Sequence, residues 1–452
     1  MKIKSLLIGA SALAMAASAQ AQTVITIVGA TAFRAAAHSA IKNAYGVNLT
    51  GFAYTGTSAT GATQYLYTGT FPGITGTTII RTCYKGSAEG IQALSGNSTY
   101  ITENLLAANR SFLPINTTVS ANGTAYASTS ATDQLSADFA LAFSDVSESS
   151  TNFSSKCKAV GGPIGVATFV PVISKDGNAA SSSTSLLTSG NATAITNLTT
   201  QQFKRLAVMG TMPAKMFTGD TTTNGTVYLV GRYDGSGTRA AMHAETGVGA
   251  LTAVKQYAPA SAYSTNMTIT SLSLVPAGTQ TIADLDKSFK DALGNGGYIK
   301  GSTLSNVLAI ALTGDLAGSN MIGWVGTGDA KNVANKGQIL SYNGVKLDGI
   351  ASGSNGTATL STADKNKVRT GAYTAWSYEN LFYLTSGFEQ DGVTAWSTAK
   401  KAAIATVYNK LKTDLSAGAT SETLIGNSGT ALDSMLVNRL TESTDGSTVK
   451  FK

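Results

Sequence analysis

Short apolar, β-branched runs alternate along the chain with alanine-rich amphipathic stretches. Three copies of this pattern each lead from an apolar run through a turn of small residues into a stretch with helical periodicity. The paired segments are 23–28 with 32–44, 77–83 with 88–94, and 226–230 with 238–246. Because strands that alternate with helices form sheets covered by those helices, the pattern predicts an α/β protein with mixed sheets flanked by helices.

Two further apolar regions predict connections between separate parts of the fold. The run 165–172 contains Pro171 and is interpreted as a segment that leaves one lobe for the next. The runs 321–325 and 338–342 are candidates for the return. We therefore expect strands that cross twice between two lobes.

Polar stretches of low complexity separate these elements and predict surface loops or short irregular strands. No repeat of fixed period is present in the sequence, which argues against solenoids and propellers. The polar stretches cover 97–132, 178–200, 352–362 and 416–430.

The first residues have the organisation of a secretory signal peptide. Lys2 and Lys4 precede an apolar stretch at 5–15, and small residues follow up to Ala21. We expect residues 1–21 to be removed by cleavage near Ala21, which gives a periplasmic or secreted protein. No other stretch approaches the roughly 20 apolar residues that a transmembrane helix needs.

About 431 residues follow the predicted cleavage point, which is long enough for two lobes. We expect the first lobe to combine 22–168 with 341–452, and the second lobe to hold 169–340. Only 13% of the residues are charged, so hydroxyl and amide groups must supply most of the surface polarity. The net charge of +7 is not concentrated in a basic block, and no nucleic-acid partner is expected.

Cysteine and histidine usage limits the chemistry available. Cys83 and Cys157 stand 74 positions apart, and in an oxidising compartment they predict one disulfide worth about 4 kcal/mol in the chain-entropy model. His38 and His243 are the only histidines and are too isolated for a zinc motif. No metal and no cofactor are expected.

Each of the three strand-to-helix turns carries hydroxyl or small residues where the helix begins. Thr31, Ser87 and the pair Ser236 and Thr238 occupy these positions. A helix N-terminus presents unpaired amide hydrogens and a partial positive charge, so it stabilises a small anion. Serine and threonine also cap ordinary helices, and for any single turn that plain structural role stays open.

The third turn is the most informative, because a guanidinium, a carboxylate, two glycines and two hydroxyls stand within seven residues. Arg232 supplies a planar fork that matches two anion oxygens, and Asp234 is placed to hold that fork. Gly237 allows the backbone to approach a ligand closely. The turn therefore predicts an oxyanion site.

In this order along the chain, these segments resemble the periplasmic phosphate-binding proteins of phosphate ABC transporters. The third turn is similar to the arginine, aspartate and glycine-serine-glycine-threonine signature with which that family grips its anion. The similar segments are 29–33, 86–90, 143–145, 198–203, 232–238 and 322–325. The resemblance implies a type II periplasmic-binding-protein fold, in which two α/β lobes enclose the ligand.

The resemblance also implies roles for individual residues. Ala32 separates Thr31 from Phe33, so which of these three meets the ligand stays open. Asp145 would accept a hydrogen bond from a protonated oxyanion and repel sulfate, although it could instead cap the turn at Ser147. The expected ligand-binding residues are Thr31, Ala32, Phe33, Ser87, Asp145, Arg232, Asp234, Ser236, Gly237 and Thr238.

The expected function is capture of inorganic phosphate or a related oxyanion and its delivery to an ABC permease in the inner membrane. We expect a monomer that is not an enzyme, since the sequence shows no catalytic motif. The alternative is a surface or extracellular structural or glycan-binding protein that reuses the same fold. Trp376, Tyr378, Phe382 and Tyr383 would supply the glycan contact, although aromatic residues at such spacing more often form a core.

Overall fold

The computed structural model describes residues 22–95, 111–127, 133–135, 137–154, 157–174, 194–260, 268–275, 285–286, 296–330, 333, 337–351, 360–440 and 445–452. The signal peptide predicted for 1–21 lies outside these residues, as do parts of the polar stretches 97–132, 178–200 and 352–362. None of the helices in the described part is long and apolar enough to span a bilayer.

The structure is a mixed α/β fold built on one large sheet, with shorter two-stranded pairs around it. The strands are β1 (Thr23–Gly29), β2 (Leu49–Thr55), β3 (Gln64–Gly69), β4 (Thr78–Cys83), β5 (Ser111–Phe112), β6 (Thr124–Tyr126), β7 (Asp133–Gln134), β8 (Leu141–Ser144), β9 (Val160–Ile173), β10 (Asn197–Leu198), β11 (Thr211–Pro213), β12 (Thr226–Leu229), β13 (Gln256–Pro259), β14 (Leu272–Val275), β15 (Leu285–Asp286), β16 (Gly297–Tyr298), β17 (Asn320–Gly326), β18 (Gln338–Ile339), β19 (Ser341–Tyr342), β20 (Trp376–Tyr383), β21 (Gly429–Thr430), β22 (Val437–Arg439) and β23 (Val449–Phe451).

Helices cover the sheet. They are α1 (Arg34–Tyr45), α2 (Ser87–Leu94), α3 (Thr200–Met209), α4 (Lys215–Thr218), α5 (Gly237–Glu245), α6 (Gly301–Leu308), α7 (Thr327–Ala330), α8 (Asp348–Ala351), α9 (Thr362–Arg369), α10 (Thr398–Ser416) and α11 (Gly418–Ile425). Helices α10 and α11 pack against α1, α2 packs on β1 and β8, and α5 and α6 pack on β17.

The large sheet is mixed, with the order β11-β12-β17-β9-β20-β8-β1-β4-β3-β2-β6. Strands β8, β1 and β4 run parallel to one another, and β12 runs parallel to β17. The apolar runs that form β1, β4 and β17 are buried almost along their whole length. This is expected for parallel strands with both faces covered.

Strand β9 joins the two parallel groups. Its first part, up to Thr168, pairs with β20, and its last part, from Phe169 to Ile173, pairs with β17. The sequence predicted a crossing strand at 165–172, and the long strand observed there confirms a continuous extended segment. Pro171 faces Trp324 in the β17 pairing.

The three predicted strand-to-helix units are confirmed, with β1 and α1, β4 and α2, and β12 and α5 at the expected places. The prediction of a surface loop or short irregular strand for 416–430 is wrong for most of that stretch, because α11 occupies it; the short strand β21 lies at its end. The serine and threonine content of the stretch suggested a loop. Packing of α11 against α10 and α1 provides the stabilisation that composition did not reveal.

The predicted disulfide is also wrong, because Cys83 and Cys157 are both thiols in the structure. Cys83 ends β4 and is buried between Val28 on β1 and Gln64 on β3. Burial and a hydrogen bond with Glu148 raise the pKa of the Cys157 thiol to about 12. The spacing of two cysteines does not determine whether their Cβ atoms come close enough to bridge, and the predicted stabilisation does not apply.

Candidate functional site

Strand order brings three of the predicted site residues to one edge of the sheet. Thr31 follows β1, Ser87 follows β4, and Asp145 follows β8. Since these strands are parallel neighbours, their carboxyl ends lie side by side, and all three side chains are buried there. Loops that follow parallel strands are the usual place for ligand contacts in α/β sheets.

The third predicted turn meets this edge from the β12 side. Ser236 caps α5, and its hydroxyl accepts a hydrogen bond from the Arg239 amide at 3.4 Å. The Ala88 amide in α2 donates to the Gly235 carbonyl at 3.2 Å. The N-termini of α2 and α5 therefore lie against each other, so the partial positive charges of the two helix ends add at this place.

The carboxylate of Asp145 lies at this junction of helix N-termini. Ser87 donates its hydroxyl to one carboxylate oxygen, and the hydroxyl of Thr238 lies 3.5 Å from the other. A Cβ atom at position 237 would overlap both Asp145 and Ser87, so only glycine fits there. Burial raises the pKa of Asp145 to about 6, although the Ser87 hydroxyl and the charge of Arg232 favour its ionised form.

Arg232 is buried beside the first turn. Its guanidinium donates to the carbonyls of Tyr298 at 2.9 Å and Ile299 at 2.6 Å, and to the Thr31 hydroxyl at 3.0 Å. Burial lowers the pKa of Arg232, and nearby acidic groups offset this only in part. These bonds orient the arginine by neutral oxygens, which leaves its charge available to an anion.

Asp234 was expected to hold the Arg232 fork, but carbonyl groups do so in the structure. Asp234 is partly exposed, and its charge acts on Arg239, which donates to the Arg232 carbonyl at 3.2 Å. Burial lowers the pKa of Arg239 to about 10. Asp234 thus supports the turn through a second arginine.

The three candidate residues of the first turn, Thr31, Ala32 and Phe33, have different surroundings. The Thr31 hydroxyl meets Arg232, whereas Phe33 is buried in the core with its ring 6.1 Å from that of Phe143. Ala32 is partly exposed and lines a cavity of about 450 Å³ together with Arg34 and Asp329. Of the three side chains, only that of Thr31 joins the cluster around Arg232.

An ion pair beside this cluster was not identified from the sequence. Arg34 at the start of α1 contacts Asp329 in α7 at 2.6 and 3.3 Å, and it also donates to the Thr31 carbonyl. Burial alone would lower the pKa of Arg34, but the Asp329 carboxylate raises it above its ordinary value. In the sequence, Arg34 is one residue of an alanine-rich helix, and nothing local pairs it with a residue 295 positions away.

Two other acidic side chains lie close to the site. Glu89 in α2 accepts a hydrogen bond from the Tyr233 hydroxyl, which ties α2 to the third turn. Glu379 in β20 is fully buried, and burial together with the charge of Asp145 raises its pKa well above the ordinary value. The sequence signal for Glu379 is a single acidic residue within the apolar strand 376–383.

The aromatic residues proposed for glycan contact are core residues. Trp376, Tyr378 and Phe382 are buried in β20, and the guanidinium of Arg439 covers the Trp376 ring at 4.3 Å. Tyr383 stacks on Tyr408 of α10 at 4.2 Å. The core interpretation of this cluster is confirmed.

No protein-family model matches the chain, and no curated protein sequence is significantly similar to it. Among solved structures, a phosphate-binding protein from Stenotrophomonas maltophilia is similar to the chain, with 13% sequence identity and a TM-score of 0.35. The alignment covers 91% of this chain and 100% of that one. Because this TM-score does not establish a shared fold, the function is inferred from the geometry of the site.

Proposed function

We propose that the chain is an exported binding protein that captures inorganic phosphate or a similar oxyanion between two α/β lobes and passes it to an ABC permease. One observation carries the proposal. The N-termini of α2 and α5, Arg232 and the Thr31 hydroxyl all lie buried at the carboxyl ends of the parallel strands. Oriented amides and a guanidinium together bind a tetrahedral anion without bulk water.

In this proposal the two lobes contribute different parts of the site. Thr31, Ser87 and Asp145 belong to the first lobe, formed by 22–168 and 341–452. The second lobe, 169–340, contributes Arg232, Ser236, Gly237 and Thr238. A ligand that contacts both sets favours the closed arrangement, because only closure brings them together.

Asp145 is proposed to select the protonation state of the anion. An ionised carboxylate accepts a hydrogen bond from monohydrogen phosphate but repels sulfate, which carries no proton at neutral pH. The Ser87 and Thr238 hydroxyls hold the carboxylate in place for this contact.

The proposal is tested by calorimetric titration of phosphate-stripped protein with phosphate, sulfate and arsenate. We expect phosphate and arsenate to bind and sulfate to bind far more weakly. Arg232→Gln should lose at least about tenfold in phosphate affinity, as expected when a charged hydrogen bond is removed. Arg205→Gln, at an exposed position in α3, is the matched control. If none of the three anions binds to the parent protein, the proposal is wrong.

A further inference from the structure

Glu379 is an unusual residue for the interior of a sheet. Its side chain is fully buried in β20, and neither carboxyl oxygen has a hydrogen-bond partner among the described residues. A buried polar group without a partner destabilises a protein, and such groups are often retained because a ligand satisfies them. Glu379 could be satisfied by a bound anion only if its carboxyl group lies next to the anion site.

Strand register places Glu379 beside Asp145. The antiparallel β20–β8 ladder ends at the pair of Asn380 and Ser144, and the next residues beyond it are Glu379 and Asp145, which also interact electrostatically. Residues directly opposite in such a ladder point to the same face of the sheet, with Cβ atoms about 5 Å apart. The two acidic side chains therefore lie next to each other at the edge that carries the site.

The strand on the other side of Glu379, β9, shows which residues pack on that same face. Glu379 pairs with Gly165 in β9, and a Cβ atom on Gly165 would point toward Phe33 and Ile425. Phe33 belongs to the turn that carries Thr31. The Glu379 carboxyl thus lies on the side of the sheet from which the first turn rises.

The charged and titratable groups around Glu379 favour its protonated form. Asp145, at the end of β8, is the acidic neighbour whose charge disfavours ionisation, and Tyr84, after β4, also interacts with Glu379 electrostatically. Arg232 and Asp445 act on Asp145 with opposite signs. One carboxyl of the pair is therefore expected to hold a proton at neutral pH while the other is ionised.

We propose that Glu379 is a second ligand-contacting carboxyl of this site, which donates a hydrogen bond from its protonated form to an oxygen of the bound oxyanion. The inference rests on the proposed function and adds a donor carboxyl to the acceptor carboxyl of Asp145. A site with one of each matches an oxyanion that carries one proton and several bare oxygens, such as monohydrogen phosphate or monohydrogen arsenate.

The experiment compares phosphate affinity by calorimetry at neutral and at alkaline pH in the parent protein, Glu379→Gln and Glu379→Met. Glutamine keeps a donor that cannot ionise, so Glu379→Gln should stay within about threefold of the parent and lose less affinity at alkaline pH. Methionine removes the donor, and we expect an affinity loss of about 10- to 100-fold. Asp414→Asn, which changes a buried acidic residue of α10, is the matched control.

A folded Glu379→Met protein with the affinity and pH dependence of the parent would overturn this inference and leave the proposed function intact. Absence of anion binding in the parent protein would overturn both. Infrared difference spectra test the inference in the parent protein itself, so the result does not depend on whether Glu379→Met folds. Phosphate should shift the stretching band of a protonated carboxyl in the parent protein, and this shift should be missing in Glu379→Gln; a parent spectrum without it also contradicts the inference.

Discussion

The Asp145 carboxylate is stabilised by hydrogen bonds and destabilised by burial, and burial has the larger effect. Its folded-state pKa of about 6 lies above the ordinary value of 3.8. Because the folded protein binds this proton more tightly than the unfolded chain, Asp145 contributes most to the free energy of unfolding below pH 3.8. This contribution is lost as the pH rises through 6. Keeping Asp145 ionised at neutral pH therefore lowers stability, which is typical of residues retained for function.

Asp145→Asn is expected to stabilise the ligand-free protein and to relax its selectivity. The amide has no charge to desolvate, so we expect a gain on the order of 2 kcal/mol at about pH 8 and little gain at about pH 4. Thermal unfolding at the two pH values measures this difference. The mutant should also bind sulfate more tightly relative to phosphate, and an unchanged affinity ratio in calorimetry would exclude the selectivity role.

Gly237→Ala is expected to disrupt the site with little effect on the rest of the fold. The added methyl group would overlap Asp145 and Ser87, so the junction of α2 and α5 must open. We expect at least a tenfold loss of phosphate affinity by calorimetry. Gly162→Ala is the control, because a Cβ atom there meets nothing within 4 Å. Equal phosphate affinity in Gly237→Ala and the parent would show that this junction is not the site.

At the residue scale, the sequence identified candidates by their chemical type and their place in a turn. Thr31, Ser87 and Arg232 were recognised because hydroxyls and a guanidinium follow apolar strands. Asp329 and Glu379 were not recognised from the sequence. A carboxylate in a short helix or an interior strand has no local feature that assigns it to a site. Their position depends on which strands are neighbours, and no segment of the sequence encodes that by itself.

Elements at the C-terminal end of the chain are joined by a charged network around Glu422 in α11. Its carboxylate contacts Lys365 and Arg369 of α9 at 2.8 Å, and accepts hydrogen bonds from the Thr430 hydroxyl at 2.6 Å and the Ala431 amide at 2.7 Å. Burial alone would raise the pKa of Glu422, but these partners lower it to about 2. The network ties α11 to α9 and β21.

Glu422→Gln is expected to lower the melting temperature at neutral pH. The ionised Glu422 carboxylate makes its full contribution to the free energy of unfolding above the ordinary pKa of 4.5. This contribution is lost as the pH falls through 2. The difference between mutant and parent should therefore shrink between these pH values, as measured by thermal unfolding. Asp315→Asn, at an exposed position, is the control. A difference that does not depend on pH would show that lost packing, not charge, explains the effect.

At the element scale, periodicity predicted the strands and helices that bury an apolar face. It missed α11, whose sequence is rich in small and hydroxyl residues and poor in the usual helix formers. Such a segment becomes helical through tertiary packing and through the Glu422 network, and neither has a local signature. Composition alone therefore predicted a loop at 416–430, because it contains no information on this packing.

Across the whole molecule, several contacts join the two proposed lobes. Arg34 and Asp329 form one buried ion pair, and Arg439 and Glu245 form another at 2.7 Å. The sheet itself continues from one parallel group to the other through β9. In the proposed mechanism these contacts hold the closed arrangement, and β9 is the strand about which the lobes move.

Asp329→Asn is expected to shift the protein toward an open form, because it leaves the buried Arg34 guanidinium without its charged partner. We expect about tenfold weaker phosphate binding and a larger radius of gyration of the ligand-free protein in solution scattering. Saturating phosphate should restore the parent dimensions. Asp348→Asn, which removes an exposed ion pair with Lys367, is the control. Unchanged scattering and affinity in Asp329→Asn would contradict this role.

The sequence by itself determined the α/β class, the three strand-to-helix units and the residue types in their turns. These features are local, since periodicity and turn chemistry act over a few neighbouring residues. Only the tertiary structure decided that Cys83 and Cys157 stay unbridged, that Phe33 joins the core, and that Glu379 lies beside Asp145. These outcomes depend on strand order and register, which follow from packing of the whole chain and bring together residues hundreds of positions apart.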